Sequence, residues 1–183
     1  IELVRRWQDV RRGIGAAAAM EPRSVVVAGG TRRQDSVRNG LDALPPAVRY
    51  VLVHDAARPL IRPEDVRKMI QATREHGAAV IGTPSHDSVK RVKGARIIAE
   101  LPRDEVWTVQ TPQSAEVSVL REAYDRARDM ELTDEASALR VMGVHVALVE
   151  GPRENLKITR PGDAAFAELI LRARGNHGKP GEN

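Results

Sequence analysis

Apolar and polar positions along the chain follow two periods, one typical of amphipathic helices and one typical of buried strands. Helical spacing predicts helices at 2–13, around Val37, Leu41 and Leu44, from Pro63 to Gly77, and at about 116–130, 134–142 and 166–173. Short apolar runs predict strands at 25–28, 51–53, 78–81 and 106–109, and alternation predicts one at 144–148. This succession is typical of an α/β domain whose sheet is mostly parallel.

One segment departs from that succession. The segment at about 86–103 contains DSVKRV, a KGA turn and RIIAEL, a pattern that predicts a β-hairpin. The hairpin is expected to be polar on both faces and to need a partner surface, so we expect it to contact a second copy of the chain. The sequence GNHGKPGEN at 175–183 has linker composition and predicts a flexible tail. Residues 1–174 are therefore expected to form one domain.

Composition and charge exclude several classes of protein. The chain has 183 residues, a length that favours one domain, and no apolar run approaches the roughly 20 residues of a membrane span. It has no Cys, which excludes disulfide and thiolate chemistry, and we expect a cytoplasmic protein without a membrane partner. Aromatic residues are 3 %, too few for a base-stacking platform, and the net charge of +4 lies entirely within residues 1–40. No nucleic-acid partner is therefore expected, and a small anionic ligand fits better.

A glycine pair marks the first candidate site. Gly29 and Gly30 close an apolar run and precede Ser36 at the start of a predicted helix. Such turns can hold anions through backbone N–H groups and the helix dipole. An ordinary strand-to-helix turn is the alternative.

Five residues further along the chain offer groups that suit phosphates and polyols. Asp55 directly follows a predicted strand, where a carboxylate can hold Mg²⁺ beside a phosphate, or can instead cap its loop or pair with an Arg. Lys157 can neutralise phosphoryl charge or lie solvated on the surface. The remaining groups, a guanidinium and two hydroxyls, belong to Arg103, Thr111 and Thr133.

The motifs of several other enzyme classes do not occur in this sequence. It has no G-x-S-x-G, no H-E-x-x-H, no complete Walker A string and no G-x-G-x-x-G. The residues alone therefore predict an α/β domain with an anion and Mg²⁺ site, and no specific reaction.

Several segments, taken together and in this order, are similar to signatures of one enzyme family. They are VVVAGGTRRQDSVRNGL, VLVHDAARPLI, the stretch from Pro84 to Arg91 with DSVKR, TPQ, LTDEASAL and VEGPRENLKITRPGD. They resemble the 2-C-methyl-D-erythritol 4-phosphate cytidylyltransferases of the non-mevalonate isoprenoid pathway, over about Val25 to Ile170. The resemblance implies a Rossmann-like nucleotidyltransferase sheet with a hairpin arm that forms a homodimer.

The resemblance also implies a reaction. A phosphate oxygen of methylerythritol phosphate attacks the α-phosphorus of CTP and pyrophosphate leaves, with Mg²⁺ as the cofactor. By position, Gly30 and Ser36 would contact the cytosine and Ala56 the ribose region. Asp55 would serve Mg²⁺ and the substrate, and Lys157 would stabilise charge at the α-phosphate.

The acceptor side is implied by the same resemblance. Arg103 and Thr111 with Thr133 would hold methylerythritol phosphate, and Arg58 would help to line that pocket. Ser88 and Arg103, on or beside the hairpin, are expected to act on the neighbouring subunit's site.

One departure from the family pattern leaves alternatives open. Family members begin with a strand and a Gly-rich loop bearing Arg and Lys that wraps the triphosphate, whereas GIGAAAAM at 13–20 follows a predicted helix and has no basic residue. We therefore expect the chain to lack that segment and, by itself, to bind CTP weakly. The alternatives are a cytidylyltransferase for another polyol phosphate, such as ribitol phosphate, or an inactive truncated dimeric fragment. The tail could also lead into a second enzyme, as in fused members of the family.

Overall fold

The structure, a computed structural model, describes residues 25–176, which belong to two compact units with a boundary after Pro45. The first unit, described from residue 25, contains helix α1 (Arg33–Asp42). The helix ends before Pro45, as its sequence predicts. The helix predicted at 2–13 and the segment GIGAAAAM lie outside the described residues.

The strand predicted at 25–28 is not present. Residues 25–30 have no strand hydrogen bonding, and Val25, Val26 and Val27 are 68 %, 51 % and 39 % exposed. A strand exists through its hydrogen bonds to a neighbouring strand. The apolar residues alone are therefore insufficient to form a strand here.

The second unit, described over 46–176, contains the other helices and all the strands of the described chain. In chain order these are β1 (Tyr50–Val53), α2 (Pro63–His76), β2 (Ala78–Pro84), β3 (Val89–Lys93), β4 (Arg96–Leu101), a 3-10 turn (Arg103–Glu105), β5 (Trp107–Glu116), α3 (Val117–Arg126), α4 (Glu135–Val141), β6 (Ala147–Glu150) and α5 (Pro161–Asn176).

The four-stranded sheet has the order β1-β5-β2-β6. Strands β2 and β6 pair in parallel, whereas β5 is antiparallel to both of its neighbours. Three of the four strands therefore run in one direction, which confirms a mostly parallel α/β sheet. Their carboxyl ends lie at a single edge of the sheet, where open α/β sheets bind ligands.

Helix α2 packs against this sheet, and its two ends follow their sequence signals. Pro63 occupies the first turn, where its missing N–H costs no hydrogen bond. Gly77 ends the helix with φ 80°, a conformation that disfavours residues with a Cβ, and its N–H donates to the Thr73 carbonyl at 2.8 Å. Met69 of the helix packs against Ile81 of β2 in the core. Helix α2 thus packs against β2, one of the strands that end at this edge.

Strands β3 and β4 form the predicted hairpin as a separate two-stranded sheet. Gly94, at φ 59°, makes the turn between them. The expectation of polar character on both faces is wrong, because Val92, Ile97 and Ile98 are 55 %, 65 % and 54 % exposed. Val92 and Ile97 are opposite each other in the register and therefore share one face of the hairpin, and Ile98 lies at an irregularity of the register beside them. That face thus presents apolar surface.

Several other boundaries differ from their predictions, among them the end of α3, which is Arg126 instead of about residue 130. Strand β6 begins at Ala147 instead of residue 144, and TPQ lies inside β5 instead of after it. Helix α5 continues to Asn176, so it includes the first two residues of the predicted tail, and 177–183 lie outside the described residues. Over residues 25–176, no helix is long and apolar enough to span a bilayer.

Candidate active site

Two opposite charges meet at the carboxyl edge of the sheet. Asp55 follows the end of β1 and Lys157 lies in the segment between β6 and α5, and both strands end at this edge. The Lys157 ammonium lies 2.8 Å from Asp55 Oδ2, with the two side chains 43 % and 18 % exposed. The ion pair is therefore accessible to a ligand. Asp55 thus pairs with a lysine, whereas the sequence predicted Mg²⁺, a loop cap or an Arg as its partner.

Thr111 joins the pair because β5 runs against β1. In their register Val53 is opposite Gln113, so Asp55, two residues beyond β1, comes level with Thr111. The backbone N–H of Asp55 donates to Thr111 Oγ1 at 3.0 Å. Thr111 is 4 % exposed. Its hydroxyl thus holds the backbone of the residue whose carboxylate pairs with Lys157.

Arg58 links the loop after β1 to the segment that contains Lys157. Its backbone N–H donates to the Asp55 carbonyl at 2.9 Å, and its guanidinium donates to the Asn155 carbonyl at 2.8 Å. Burial lowers the pKa of the Arg58 guanidinium, and the charge of Asp55 opposes that shift. A second bridge runs from the Ile158 N–H to the Ala57 carbonyl at 2.8 Å. Ala56 lies exposed in the same loop.

Three polar residues that sequence reasoning missed complete this network. The fully buried Asn155 donates through Nδ2 to Gln110 Oε1 and to the Thr111 carbonyl, each at 2.9 Å. His54 lies 3.1 Å from Thr111 Oγ1 through Nδ1 and 2.9 Å from the Arg58 carbonyl through Nε2. His54 was detectable as the residue before Asp55, and Asn155 as a polar residue near Lys157. Neither forms a spacing typical of catalysis.

Gly30 and Ser36 meet each other in the first unit. The Gly30 N–H donates to Ser36 Oγ at 2.9 Å, and the Asp35 carboxylate accepts from the Arg32 N–H at 3.1 Å at the start of α1. Hydrogen bonding from the Arg32 side chain, ahead of all other causes, lowers the pKa of Asp35. A Cβ on Gly30 would lie 2.3 Å from Asp35 Cβ, so only glycine fits. The predicted roles of Gly30 and Ser36 toward a nucleotide stay predictions.

Thr133 lies two residues before α4 and is not the cap of that helix. The cap is Asp134, which accepts from the Ser137 N–H at 2.8 Å and from Gln113 Nε2 at 3.1 Å. Asp134 caps the helix because its carboxylate reaches the free N–H groups of the first turn. Since the Ser137 hydroxyl donates to Asp134 Oδ1, the Thr133 hydroxyl donates to Ser137 Oγ, 2.9 Å away.

Ser88 and Arg103 belong to the two ends of the hairpin. Ser88 is exposed immediately before β3, and Arg103 lies in the 3-10 turn after β4. The Arg103 guanidinium donates to the His86 carbonyl at 3.3 Å, which ties the hairpin ends together. The structure thus brings Asp55, Arg58, Thr111 and Lys157 into one network and places these two at the hairpin base.

The carboxylates at this edge limit how a metal ion could be held. Within residues 25–176, no group of three or more His, Cys, Asp or Glu side chains is arranged as a metal site. Asp55 supplies one carboxylate. Protein-bound Mg²⁺ is commonly held by one or two carboxylates together with the phosphates of a substrate. This donor set fits an ion held mainly by a phosphorylated ligand, and Lys157 and Arg58 add positive charge for that ligand.

Known proteins match most of the chain. Residues 6–173 match the family model described as "IspD: 2-C-methyl-D-erythritol 4-phosphate cytidylyltransferase". A bifunctional IspD/IspF enzyme of Solidesulfovibrio magneticus is 48 % identical over 77 % of this chain and 36 % of its own length. A 2-C-methyl-D-erythritol 4-phosphate cytidylyltransferase of Halalkalibacterium halodurans is 39 % identical over 80 % of this chain and 64 % of its own length. The chain therefore spans less than two thirds of either relative.

The fold has a close match among solved structures. The crystal structure of 2-C-methyl-D-erythritol 4-phosphate cytidylyltransferase from Thermus thermophilus aligns with a TM-score of 0.75 and 37 % sequence identity. The alignment covers 83 % of this chain and 77 % of that one.

Proposed function

The chain belongs to the 2-C-methyl-D-erythritol 4-phosphate cytidylyltransferase family, and we propose that it transfers a cytidylyl group from CTP to 2-C-methyl-D-erythritol 4-phosphate. In this reaction a phosphate oxygen of the acceptor forms a bond to the α-phosphorus of CTP. The bond from that phosphorus to the bridging oxygen breaks, and pyrophosphate leaves with the electron pair. The observation that carries the proposal is the accessible ion pair of Asp55 and Lys157 at the carboxyl edge of the sheet.

Lys157 supplies positive charge where negative charge develops. Its ammonium is held by Asp55 at 2.8 Å, so it is already oriented before a phosphate arrives. A fixed cation stabilises the charge of the transition state without first having to reorganise. Arg58 is braced by the Asn155 carbonyl and holds the loop of Asp55 in place. These residues support a site built for phosphoryl chemistry.

Asp55 is the residue we propose to hold Mg²⁺, together with phosphate oxygens of CTP and the acceptor. When bound, the ion neutralises charge on the reacting phosphates. We further propose that Gly30 and Ser36 contact the cytosine and that Ala56 contacts the ribose region. Thr111, Thr133, Arg58 and Arg103 are proposed to bind the acceptor, and Ser88 and Arg103 to serve the site of a partner subunit.

The test is a turnover assay with the protein expressed from its complete reading frame. We expect release of pyrophosphate and formation of 4-diphosphocytidyl-2-C-methyl-D-erythritol when CTP and methylerythritol phosphate are both present. Ribitol phosphate as the acceptor, in a parallel assay, distinguishes the other polyol phosphate that the sequence left open. Folded protein that releases no pyrophosphate with either acceptor contradicts the proposal.

Substituting the lysine tests its role within that assay. Lys157→Met is expected to lower kcat/KM by roughly 10²–10³-fold, the usual cost of removing one group that stabilises transition-state charge. Lys68→Met removes an exposed lysine on α2 and is the matched control, expected to leave kcat/KM unchanged. Equal activity of the two variants would contradict a catalytic role for Lys157.

We also propose that the hairpin joins two copies of the chain as a homodimer. A two-stranded hairpin alone is at best marginally stable in water, and this one presents Ile97 and Ile98 at 65 % and 54 % exposure. Sedimentation is expected to give a dimer for the wild type and a monomer for Ile97→Asp. Met130→Asp, at a position 47 % exposed outside the hairpin, should stay dimeric. A monomeric wild type would contradict the proposal.

A further inference from the structure

His54 lies beside the ion pair and makes two hydrogen bonds that the proposed reaction does not explain. Its Nε2 is 2.9 Å from the Arg58 carbonyl and its Nδ1 is 3.1 Å from Thr111 Oγ1. A carbonyl oxygen only accepts, so Nε2 must carry a proton and donate it. In the neutral ring Nδ1 is then unprotonated and can only accept.

The position of one hydroxyl proton follows from this tautomer. Thr111 has a single hydroxyl proton, and Nδ1 of His54 accepts it. The same oxygen accepts the backbone N–H of Asp55 at 3.0 Å. The Thr111 hydroxyl therefore has one free lone pair and no proton to offer. Toward a ligand it can accept a hydrogen bond but cannot donate one.

We propose that His54 is a positioning residue that takes up the hydroxyl proton of Thr111 and so makes Thr111 an acceptor-only contact in the site. A phosphate oxygen without a proton cannot satisfy such a contact, whereas a hydroxyl of a polyol can. The inference rests on the proposed function for its substrate: Thr111 would meet a hydroxyl of the acceptor and leave the phosphate to Lys157 and the arginines. His54 also fixes the hydroxyl that holds the backbone of Asp55.

The first test reads the proton directly and needs no activity. We expect ¹⁵N NMR of the histidine ring, at mildly alkaline pH where a free imidazole is neutral, to show His54 protonated at Nε2. The Thr111 hydroxyl proton should exchange slowly and correlate with Nδ1. A ring protonated at Nδ1 would overturn the inference even if the enzyme turned over its substrates.

The second test separates the two hydrogen bonds by amide variants. An asparagine amide reaches the position of Nδ1, and a glutamine amide reaches that of Nε2. His54→Asn can still accept from Thr111 and should keep kcat/KM within about threefold of wild type, whereas His54→Gln should lose roughly tenfold, the cost of one hydrogen bond. Thr111→Val should lose a similar factor, and adding His54→Gln to it should cost little more. Thr111→Ser restores the hydroxyl and should recover most of the activity.

Melting temperatures of all variants and a control substitution at a second histidine complete the experiment. His76→Gln changes a histidine 51 % exposed at the end of α2 and should leave kcat/KM unchanged. If His54→Gln is more active than His54→Asn, the bond to the Arg58 carbonyl matters instead and the inference is wrong. If both variants lose kcat/KM equally and in proportion to their loss of melting temperature, His54 acts through packing and the inference is also wrong. Absence of turnover in the wild type contradicts the proposed function alone, because the NMR result still decides the proton.

Discussion

Replacing Asn155 tests whether one buried amide holds the site together. Its side-chain Nδ2 donates to Gln110 Oε1 and to the Thr111 carbonyl, each at 2.9 Å, and the backbone carbonyl of the same residue accepts from the Arg58 guanidinium at 2.8 Å. It is fully buried and lies two residues before Lys157. Asn155 therefore connects the loop after β1, strand β5 and the segment of Lys157.

The magnitude follows from the groups left without a donor. Asn155→Ala removes the amide, so two buried acceptors, on Gln110 and Thr111, lose their hydrogen bond. A buried polar group left unsatisfied costs about 1–3 kcal/mol. We expect the free energy of unfolding to fall by about 3 kcal/mol in total, or about 6–12 °C in Tm for a protein of this size. Asn155→Asp keeps the shape but replaces the donors with acceptors, and should destabilise at least as much at neutral pH.

The assay is thermal unfolding combined with turnover. We expect kcat/KM to fall by about tenfold or more at a temperature where the variant is still folded, because Lys157 and Asp55 lose their common support. Gln71→Ala removes an exposed amide that donates to Glu75 at 2.9 Å along α2, and its Tm should change by no more than about 2 °C. If Asn155→Ala melts within about 2 °C of wild type and keeps its activity, the reasoning is refuted.

Two further predictions concern helix starts. Gly30→Ala brings a Cβ to 2.3 Å from Asp35 Cβ, so it should shift the Gly30–Ser36 turn and raise the KM for CTP. The control is Gly40→Ala, whose Cβ would have nothing within 4 Å, and it should leave this KM unchanged or stabilise α1. Equal KM values of the two variants would contradict the prediction. Asp163 accepts from the Thr159 and Arg160 N–H groups, and these hydrogen bonds lower the pKa of its carboxyl from the ordinary 3.8. The ionised carboxylate therefore stabilises the folded protein above pH 3.8, and this stabilisation is lost as the pH falls through the folded pKa. Asp163→Ala should therefore lower Tm at neutral pH, with a difference from wild type that narrows in acid; a constant difference in melting scans across that range would refute it.

Local signals in the sequence predicted the elements whose ends depend on neighbouring residues. Helix α2 begins at Pro63 and ends at Gly77 because proline and glycine act through their own backbones. The hairpin follows from its turn at Gly94 in the same way. The run at 25–28 failed because a strand also needs a partner, which no short window of sequence supplies.

The residues of the candidate site also differ in whether local sequence or long-range contacts reveal them. Asp55 was a candidate because it directly follows a predicted strand, and the resemblance of the segment around Lys157 to a family signature gave that lysine its predicted role. His54 and Asn155 were missed because their importance lies in hydrogen bonds to residues 57 and 44 positions away in the chain. A single amide or imidazole adds nothing to the hydrophobic periodicity of a sequence. Only the register of the sheet shows which residues His54 and Asn155 contact.

The direction of β5 explains why Thr111 belongs to the site at all. The sequence placed TPQ after a strand of a mostly parallel sheet, where a loop residue would reach the ligand edge. In the structure Thr111 lies within β5, and β5 is antiparallel to β1 and β2. The first half of this strand, instead of its end, therefore reaches the edge where β1, β2 and β6 end. Thr111 is thus held by its hydrogen bonds to Asp55, His54 and Asn155 and by its burial, which lets a single hydroxyl keep one orientation beside a charged pair.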